Sequence, residues 1–296
     1  MKRHIVLGAL LVVGGLSVAI AQQQAPRPPL PDLVKVKDNL YVITSSTPGP
    51  EFTGGNTGVF VTDTGVVVVD TKLVGYGPDI LTKIRKVTDK PITMVINTHT
   101  HGDHTGSNEA FPATIDFVAH ENTKANMTKM DAFKGGKAAF LPKRTFKDKM
   151  SVGSGKDRID LYYFGRGHTN GDAWVVYPSL RVLQTGDMFA LRGAPNIDLN
   201  NGGSGIEFPK TLAKAIAGIK NVDTVIPGHS PVTTPKDLQE FQRFIAEWVA
   251  AVQSAAAAGK SIDEATASID LTGKYPGYAK DRYKVAITAV YAELGK

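Results

Sequence analysis

Three histidines and an aspartate lie within six positions of this chain, in the stretch NTHTHGDHTGSNE at residues 97–109. The whole chain has only 7 histidines, and the stretch overlaps the end of the apolar segment PITMVIN, which is typical of a buried β-strand. Imidazole and carboxylate groups together suit zinc and, to a lesser extent, iron or manganese. The stretch therefore predicts a metal site at a strand end of an α/β sheet, where such folds place their sites.

The spacing inside this stretch predicts two metals rather than one. His99 and His101 are two positions apart in extended backbone, so their side chains point to the same side and can bind one metal. Gly102 lets the chain turn sharply, so Asp103 and His104 can face a second metal. The alternative interpretation of these residues is a cluster of surface histidines that binds nothing.

Three further candidate ligands follow other apolar strands in the same strand-then-glycine setting. His168 lies in GRGHTNGDAW, Asp187 in LQTGDMF, and His229 in VIPGHS. With the four residues of the first cluster, they supply enough imidazole and carboxylate groups for two metals.

Two more titratable residues end predicted strands without an obvious ligand role. His120 ends TIDFVAH, and we interpret it as a structural histidine or one that supports a ligand. Asp70 ends VVVVD, where it can orient a ligand by a hydrogen bond or simply cap the strand.

The rest of the chain alternates strand-like and helix-like segments, and it shows no internal repeat. Two mostly-β halves, each followed by helices, predict a layered α/β sandwich in one domain over residues 33–296. The 133–157 region reads as a loop with one strand near residues 145–150. The predicted helices cover residues 78–88, 121–131, 208–220 and 279–294, the last within a helical tail that begins at about residue 235.

The N-terminus is typical of an exported protein. Residues 1–21 have a basic start, an apolar run and a small-x-small cleavage site, which together predict a signal peptide. A proline-rich leader follows at residues 22–32. We therefore expect a periplasmic or secreted protein that has no stable membrane association once the signal is cleaved.

The composition limits which catalytic groups and which classes of binding partner the chain can have. There is no cysteine, which excludes a thiolate nucleophile or a thiolate metal ligand. The net charge is +6, but basic residues are interspersed with acidic ones, so no nucleic-acid partner is indicated. Arg192 and Lys210 can be anion anchors or ordinary surface charges. We expect a small-molecule substrate, and the sequence makes no prediction of the oligomeric state.

The motifs H-x-H-x-D-H, GHT, TGD and PGH, in this order, resemble those of the metallo-β-lactamase superfamily of binuclear metallohydrolases. The resemblance covers most of residues 33–232. It implies a four-layer αββα sandwich with two zinc ions, or iron or manganese, in the cleft between the sheets. The implied ligands are His99, His101 and His168 for the first metal, Asp103, His104 and His229 for the second, and Asp187 as a bridge.

The same resemblance implies hydrolysis by a hydroxide that bridges the two metals, oriented by Asp103 as the catalytic residue. The bond would be an amide, ester or lactone, with β-lactams as one possibility. True lactamases that use a cysteine carry it near the bridging position, whereas Asp187 is more similar to glyoxalase II-type and lactonase-type members. Alternatives are a glyoxalase II-like thioester hydrolase, an iron-dependent persulfide dioxygenase with one metal, a nuclease, and a non-enzymatic zinc protein.

Two loops are candidates for substrate contact. The segment 47–56 could fold over the cleft, and the glycine-rich loop 196–205 offers Asn201, Gly203 and Ser204 as hydrogen-bond donors. The alternative for the glycine-rich loop is a plain connector.

Overall fold

The computed structural model describes residues 27–45 and 49–296. The predicted signal peptide and residues 22–26 of the leader lie outside the described residues.

The first sheet has seven strands in the order β1-β2-β3-β4-β5-β6-β7. Its first four strands form antiparallel pairs, and β4 to β7 run parallel. Helix α1 connects β4 to β5, while the short α2 follows β5 and α3 follows β6. The bounds are β1 Leu33–Lys37, β2 Leu40–Ile43, β3 Thr57–Val61, β4 Val66–Val69, α1 Gly77–Arg85, β5 Ile92–Ile96, α2 Gly102–Thr105, β6 Asp116–His120, α3 Glu121–Met127 and β7 Arg144–Phe146.

The second sheet has five strands in the order β12-β11-β10-β9-β8. Strands β8 to β11 are antiparallel, whereas β11 and β12 are parallel and joined by helix α4. Three more helices complete the chain. The bounds are β8 Lys149–Val152, β9 Ile159–Tyr162, β10 Trp174–Tyr177, β11 Val182–Gly186, α4 Phe208–Gly218, β12 Thr224–Pro227, α5 Pro235–Ala257, α6 Ile262–Ser268 and α7 Tyr283–Glu293.

The region between α3 and β9 differs from the sequence prediction. Instead of one strand near residues 145–150, it holds β7 and β8, which belong to different sheets. The chain crosses from one sheet to the other at residues 147–148. Both strands lie at sheet edges and leave side chains exposed, so neither has the apolar run that marks a buried strand.

Alternation along the strands builds the layers. Val66 and Val68 of β4 pack with Ile80 and Ile84 of α1 on the outer face of the first sheet. The intervening valines of β4 point to the other face, where they pack against the inner face of the second sheet. A period of two residues therefore gives this one strand two buried faces.

The outer face of the second sheet is covered by the C-terminal helices. Trp174 and Leu183 of that sheet pack with Phe244 and Trp248 of α5 and with Ile287 of α7. The molecule is thus the αββα sandwich that the resemblance implies. Within residues 27–45 and 49–296, no helix has both the length and the apolar character needed to cross a membrane.

The directions of the strands place the candidate ligand residues at one edge of the sandwich. In the first sheet β4, β5 and β6 are parallel, and in the second sheet β9, β11 and β12 run in a common direction. Asp70, the 97–104 segment, His168, Asp187 and His229 all follow the carboxyl ends of these strands. The edge of the sandwich where these ends meet is where open α/β sheets bind their ligands.

Candidate metal centre

Seven side chains from four strand ends converge at this edge. Their ligand atoms form three groups, within each of which all atoms lie within 4.8 Å of one another. The all-histidine group is His99, His101 and His168; the mixed group is Asp103, His104 and His229; and a connecting group is His99, His104 and Asp187.

The turn after β5 divides its four residues between the two groups. His101 is the extended residue that begins α2, and the next three residues turn within that short helix. His99 and His101 consequently face the all-histidine group, while Asp103 and His104 face the mixed group. The structure thus brings the cluster together in the two pairs that its spacing predicts.

In the all-histidine group, two rings are held by oxygen acceptors on a single loop. His101 donates its Nε2 proton to Asp198 Oδ2 at 2.7 Å, and His168 donates its Nδ1 proton to the Asn196 carbonyl at 2.8 Å. The remaining nitrogens, His101 Nδ1 and His168 Nε2, face each other at 2.8 Å. Two lone pairs in this arrangement repel unless a cation lies between them.

A single buried carboxylate orients one histidine of each group. Asp70 accepts a hydrogen bond from His104 Nδ1 at 2.8 Å and two more from the amide and hydroxyl of Thr98. Because the Thr98 hydroxyl donates to Asp70, its oxygen accepts from His99 Nδ1 at 3.0 Å. Both Nε2 atoms are therefore left as acceptors that face the site. Asp70 has a positive φ of 64°, a left-handed conformation that these surrounding contacts hold in place.

Asp187 lies between the two groups. Its Oδ1 is 3.3 Å from His104 Nε2 and 3.2 Å from His229 Nε2, while Oδ2 is 3.6 Å from His168 Nε2. The close approach requires glycine at position 228, since a Cβ there would come within 2.1 Å of Asp187 Oδ1. One carboxylate therefore contacts histidines of both groups.

The mixed group is more compact and carries a second carboxylate. Asp103 Oδ2 lies 3.5 Å from His104 Nε2 and 3.3 Å from His229 Nε2. The two Nε2 atoms are 3.2 Å apart, and His229 Nδ1 contacts the Ser45 hydroxyl at 3.2 Å. This group thus offers two nitrogens and one oxygen as ligands.

Burial and nearby charges together lower the pKa of a histidine in the all-histidine group and raise that of one in the mixed group. Burial and the nearby His104 hold the pKa of His99 well below its usual range. Burial also lowers the pKa of His229, but Asp187 and Asp103 outweigh it and raise the pKa to about 9. Burial raises the pKa of Asp103, yet His104 and His229 bring it to about 2. The carboxylates of the mixed group therefore attract positive charge strongly.

Two buried atoms show that the site fits a divalent metal. Neither His99 Nε2 nor Asp187 Oδ1 has a hydrogen-bond partner among the described residues. Buried polar atoms without partners are rare, and a bound cation satisfies both. The donors are imidazole nitrogens and carboxylate oxygens, a set that suits zinc, iron or manganese.

His120 lies outside these groups, although it ends the strand next to β5. Its Nε2 donates to the Lys147 carbonyl at 2.8 Å, and its Nδ1 accepts from the Asn122 amide at 3.2 Å. The ring stacks on Tyr163 with centroids 4.0 Å apart. Both ring nitrogens are thus engaged in holding local structure, in line with the structural interpretation of this residue.

The loop residues expected to contact substrate form hydrogen bonds within the protein. Asn201 donates to Asp198 Oδ2 at 2.6 Å, the Gly203 amide donates to the Asp198 carbonyl at 2.8 Å, and the Ser204 hydroxyl donates to Glu293. These residues do not line the cleft beside the metal groups. Substrate contact by these residues stays a prediction. Asn201 positions Asp198, which in turn holds His101.

Two other predictions of substrate contact, the possible anion anchors and the 47–56 segment, have different outcomes in the structure. Arg192 and Lys210 form ion pairs with Asp237 at 2.6 Å and Glu207 at 2.8 Å, so both are ordinary surface charges. Residues 47 and 48 of the 47–56 segment lie outside the described residues, but Phe52 lines the cleft and its ring centroid is 5.4 Å from that of His229.

Sequence reasoning missed two residues that support the site. Asp198 lies in the glycine-rich loop, and only the folded chain brings it to His101. Lys72 is fully buried, and its ammonium donates to the Thr44 carbonyl at 3.0 Å and the Gly55 carbonyl at 2.8 Å. Burial lowers the pKa of Lys72 to about 7. The only signal in the sequence is a lysine that lies three positions after the last valine of an apolar strand.

The family model of the metallo-beta-lactamase superfamily matches residues 50–229, which is more than half of the chain. The chain belongs to this superfamily. It is 29% identical over 227 residues to metallo-beta-lactamase type 2 of Elizabethkingia meningoseptica, with 72% of this chain and 84% of that protein covered. It is 26% identical over 200 residues to metallo-beta-lactamase IND-1 of Chryseobacterium indologenes, covering 66% and 80%.

The fold is shared with solved structures. A metallo-beta-lactamase from Pontibacter korlensis superposes with a TM-score of 0.63 at 20% identity, over 73% of this chain and 98% of that chain. Family membership together with the convergent histidine and aspartate groups makes this protein a metal-dependent hydrolase.

Proposed function

We propose that this protein is an exported hydrolase that holds two zinc ions and cleaves an amide, ester or lactone bond, with β-lactams among its candidate substrates. The all-histidine group would hold one zinc ion, the mixed group would hold the other, and Asp187 would bridge them. Iron or manganese would fit the same donor atoms.

The observation that carries this proposal is the position of Asp187 between the two groups. A site for a single structural metal would need four ligands and no further donors. Here six side chains form two groups, and a seventh contacts histidines of both. The two nitrogens that face each other at 2.8 Å and the partnerless His99 Nε2 support a cation in the all-histidine group. The partnerless Asp187 Oδ1, beside His104 and His229, supports one in the mixed group.

When bound, two such cations supply Lewis acidity and lower the pKa of a bound water towards about 7. Asp103 lines the cleft and has a pKa of about 2, so it remains ionised and would orient a water by accepting a hydrogen bond from it. The absence of cysteine excludes a thiolate nucleophile. Asp103 is therefore the proposed catalytic residue of the chain.

Export is supported by the sequence of residues 1–21, with its basic start, apolar run and cleavage site. The named relatives are metallo-beta-lactamases of bacteria. We accordingly place the mature protein in the periplasm or outside the cell.

A thioester hydrolase is the second candidate, because an aspartate stands at position 187 and the chain lacks cysteine. Its glutathione-linked substrate is mainly cytosolic, which the export signal disfavours. An iron-dependent persulfide dioxygenase would use one metal, which the paired groups disfavour.

Metal content per chain, measured on the purified protein, tests the proposal together with hydrolysis of a β-lactam, a lactone and a thioester side by side. We expect two zinc ions per chain and turnover of the lactam or lactone. His101→Ala should lose metal and activity. His120→Asn is the matched control, since it changes a strand-end histidine outside the groups and should keep both.

One iron per chain with no hydrolysis would overturn the proposal in favour of the dioxygenase. Turnover of the thioester alone would replace the proposed substrate class by thioesters. Full activity of the His101→Ala variant would remove the assigned ligand set.

A further inference from the structure

The cleft beside the metal groups has a volume of about 450 Å³, and its walls are mainly apolar. Phe52 and Leu73 line one part of the cleft, while Leu191, Pro195 and Phe241 line another. Asp103 and Asp187, both in the ligand set, are the acidic side chains among the described lining residues. The walls suit a compact apolar body placed next to the metals.

Arg282 also lines this cleft, from the residue that precedes helix α7. It lies beyond residues 50–229, which the family model matches. Among the described residues that line the cleft, it carries the only permanent positive charge. No described residue gives its guanidinium an ion pair or hydrogen bond, in contrast to Lys284 on the same helix, which pairs with Asp263 at 2.7 Å.

The backbone around Arg282 is fixed on both sides. Ala279 forms a bridge with Gly193, which lies between the lining residues Leu191 and Ala194, and Tyr283 is fully buried against the core. At the other end of α7, Glu293 accepts a hydrogen bond from the Ile206 amide at 3.2 Å. The helix is thus attached to the loop that forms one wall of the cleft, and Arg282 is held at that wall.

A partly buried guanidinium without an acidic partner is poorly compensated until an anion binds to it. We propose that Arg282 recognises a carboxylate of the substrate, and that the substrate class is an amide, ester or lactone whose apolar body carries that carboxylate. The planar guanidinium fork matches a carboxylate with two parallel hydrogen bonds. The identity of the reacting bond rests on the proposed function, whereas carboxylate binding at Arg282 is testable separately.

The binding test uses the metal-loaded protein as purified, with phenylacetate and its neutral amide, phenylacetamide, in calorimetric titrations. Arg282→Gln should weaken phenylacetate binding about 10- to 100-fold, the range of a lost charge-assisted hydrogen bond, and leave phenylacetamide unchanged. Arg282→Lys should keep part of the affinity. Lys284→Gln removes one positive charge from the same helix and should bind phenylacetate as the unchanged protein does.

The hydrolysis test compares each cleaved substrate in its free carboxylate and methyl ester forms. Arg282→Gln should raise KM about 10- to 100-fold for the carboxylate form, with little change in kcat, and leave the ester form unaffected. Thermal unfolding and metal content should match those of the unchanged protein, which shows that the fold and the ligand groups are intact.

The inference is overturned if the unchanged protein does not bind phenylacetate, or if Arg282→Gln binds it equally well. It is also overturned if Lys284→Gln weakens binding as much as Arg282→Gln, because the effect would then come from overall charge. If none of the lactam, lactone and thioester is hydrolysed, the proposed function fails, while the titrations still decide the role of Arg282.

Discussion

The two ligand groups obtain their geometry from different parts of the molecule. In the all-histidine group, His101 and His168 are oriented by Asp198 and Asn196, which belong to one loop. In the mixed group, His104 is oriented by Asp70, whose side chain is 1% exposed, compared with 18% for Asp198. A buried strand end thus orients the mixed group, whereas the all-histidine group takes two of its orienting contacts from a more exposed loop and only the third, at His99 through Thr98, from Asp70.

The segment that contains Phe52 and Gly55 packs against the mixed group. Lys72 holds the Gly55 carbonyl at 2.8 Å, and Gly55 packs so closely on His104 that a Cβ would come within 2.2 Å of its ring. Phe52, in the same segment, contacts His229. We infer that the mixed group is rigid and sensitive to changes in its buried polar contacts, while the all-histidine group depends on how the glycine-rich loop 196–205 is held.

The largest effect should come from Asp187, which both groups share. Asp187→Asn removes the negative charge that lies within 3.6 Å of histidines of both groups. We expect loss of metal from both groups and a drop in kcat/KM larger than the about 10- to 100-fold typical of losing an orienting partner. Metal content after dialysis and steady-state hydrolysis measure these effects.

Asp63→Asn is the matched control for this change, because Asp63 is a surface aspartate paired with Lys156. It should leave both quantities unchanged. An Asp187→Asn variant that kept one metal group fully loaded would show that the two groups are independent.

The next effect compares the two orienting carboxylates directly. Asp70→Asn turns an amide NH₂ towards donors from Thr98 and His104, so a buried donor loses its partner. We expect about 10- to 100-fold weaker metal binding and a loss of about 1–3 kcal/mol in the free energy of unfolding. Asp198→Asn should weaken metal binding less and leave stability nearly unchanged.

Metal titration and thermal unfolding of both variants measure this difference. Equal losses of stability in Asp70→Asn and Asp198→Asn would break the distinction between a core-supported and a loop-supported group.

The free energy of unfolding should depend on pH in a way that reports the lowered pKa of Lys72. Its pKa is lowered from 10.5 in the unfolded chain to about 7 in the folded protein, because burial disfavours the charged form. Between these values the unfolded chain binds more protons, so this group makes the free energy of unfolding rise with pH by up to about 1.4 kcal/mol per unit. Below about pH 7 its contribution is constant.

Lys72→Met removes this group, so its difference from the unchanged protein should vary with pH between about 7 and 10.5, in favour of the unchanged protein as pH rises. Denaturant unfolding at several pH values measures it, and the subtraction removes the titration of tyrosines common to both. A difference that is constant with pH would contradict a neutral, buried Lys72.

The smallest effect should come from Phe52. Phe52→Ala removes a ring that lines the cleft and packs beside His229. An aromatic contact of this kind contributes about 0.5–1.5 kcal/mol, so KM should rise about 2- to 10-fold with kcat nearly unchanged. Val34→Ala, which trims a surface residue of β1, should alter neither constant. Loss of metal from Phe52→Ala would show that this ring also supports the mixed group.

The candidate ligands could be predicted because their signals are local. His168, Asp187 and His229 each follow an apolar strand and a glycine, and parallel strands gather their carboxyl ends at one edge. The layers could also be predicted, because side chains at alternate positions of each strand point to opposite faces of the sheet. The split of the 133–157 region into two edge strands could not, because exposed edge strands carry no apolar pattern.

The supporting residues could not be predicted for a different reason. His101 and Asp198 are separated by 97 positions, and their contact depends on how a loop of the second sheet folds against the first. Of the loop residues proposed as substrate contacts, Asn201 donates to Asp198 of the same loop and Ser204 donates to Glu293 of α7. The sequence of a loop does not reveal whether the partner of a polar residue is a substrate or another group of the protein.

The sequence by itself determined which residues can bind metal, how the first cluster divides between two groups, and that the chain folds into stacked sheets and helices. These properties depend on short-range spacing and on the period of the strands. Only the tertiary structure decided which nitrogen each histidine turns to the site and that Arg282, just before the C-terminal helix, lines the cleft. Both depend on contacts between distant segments, which exist only once the layers have packed together.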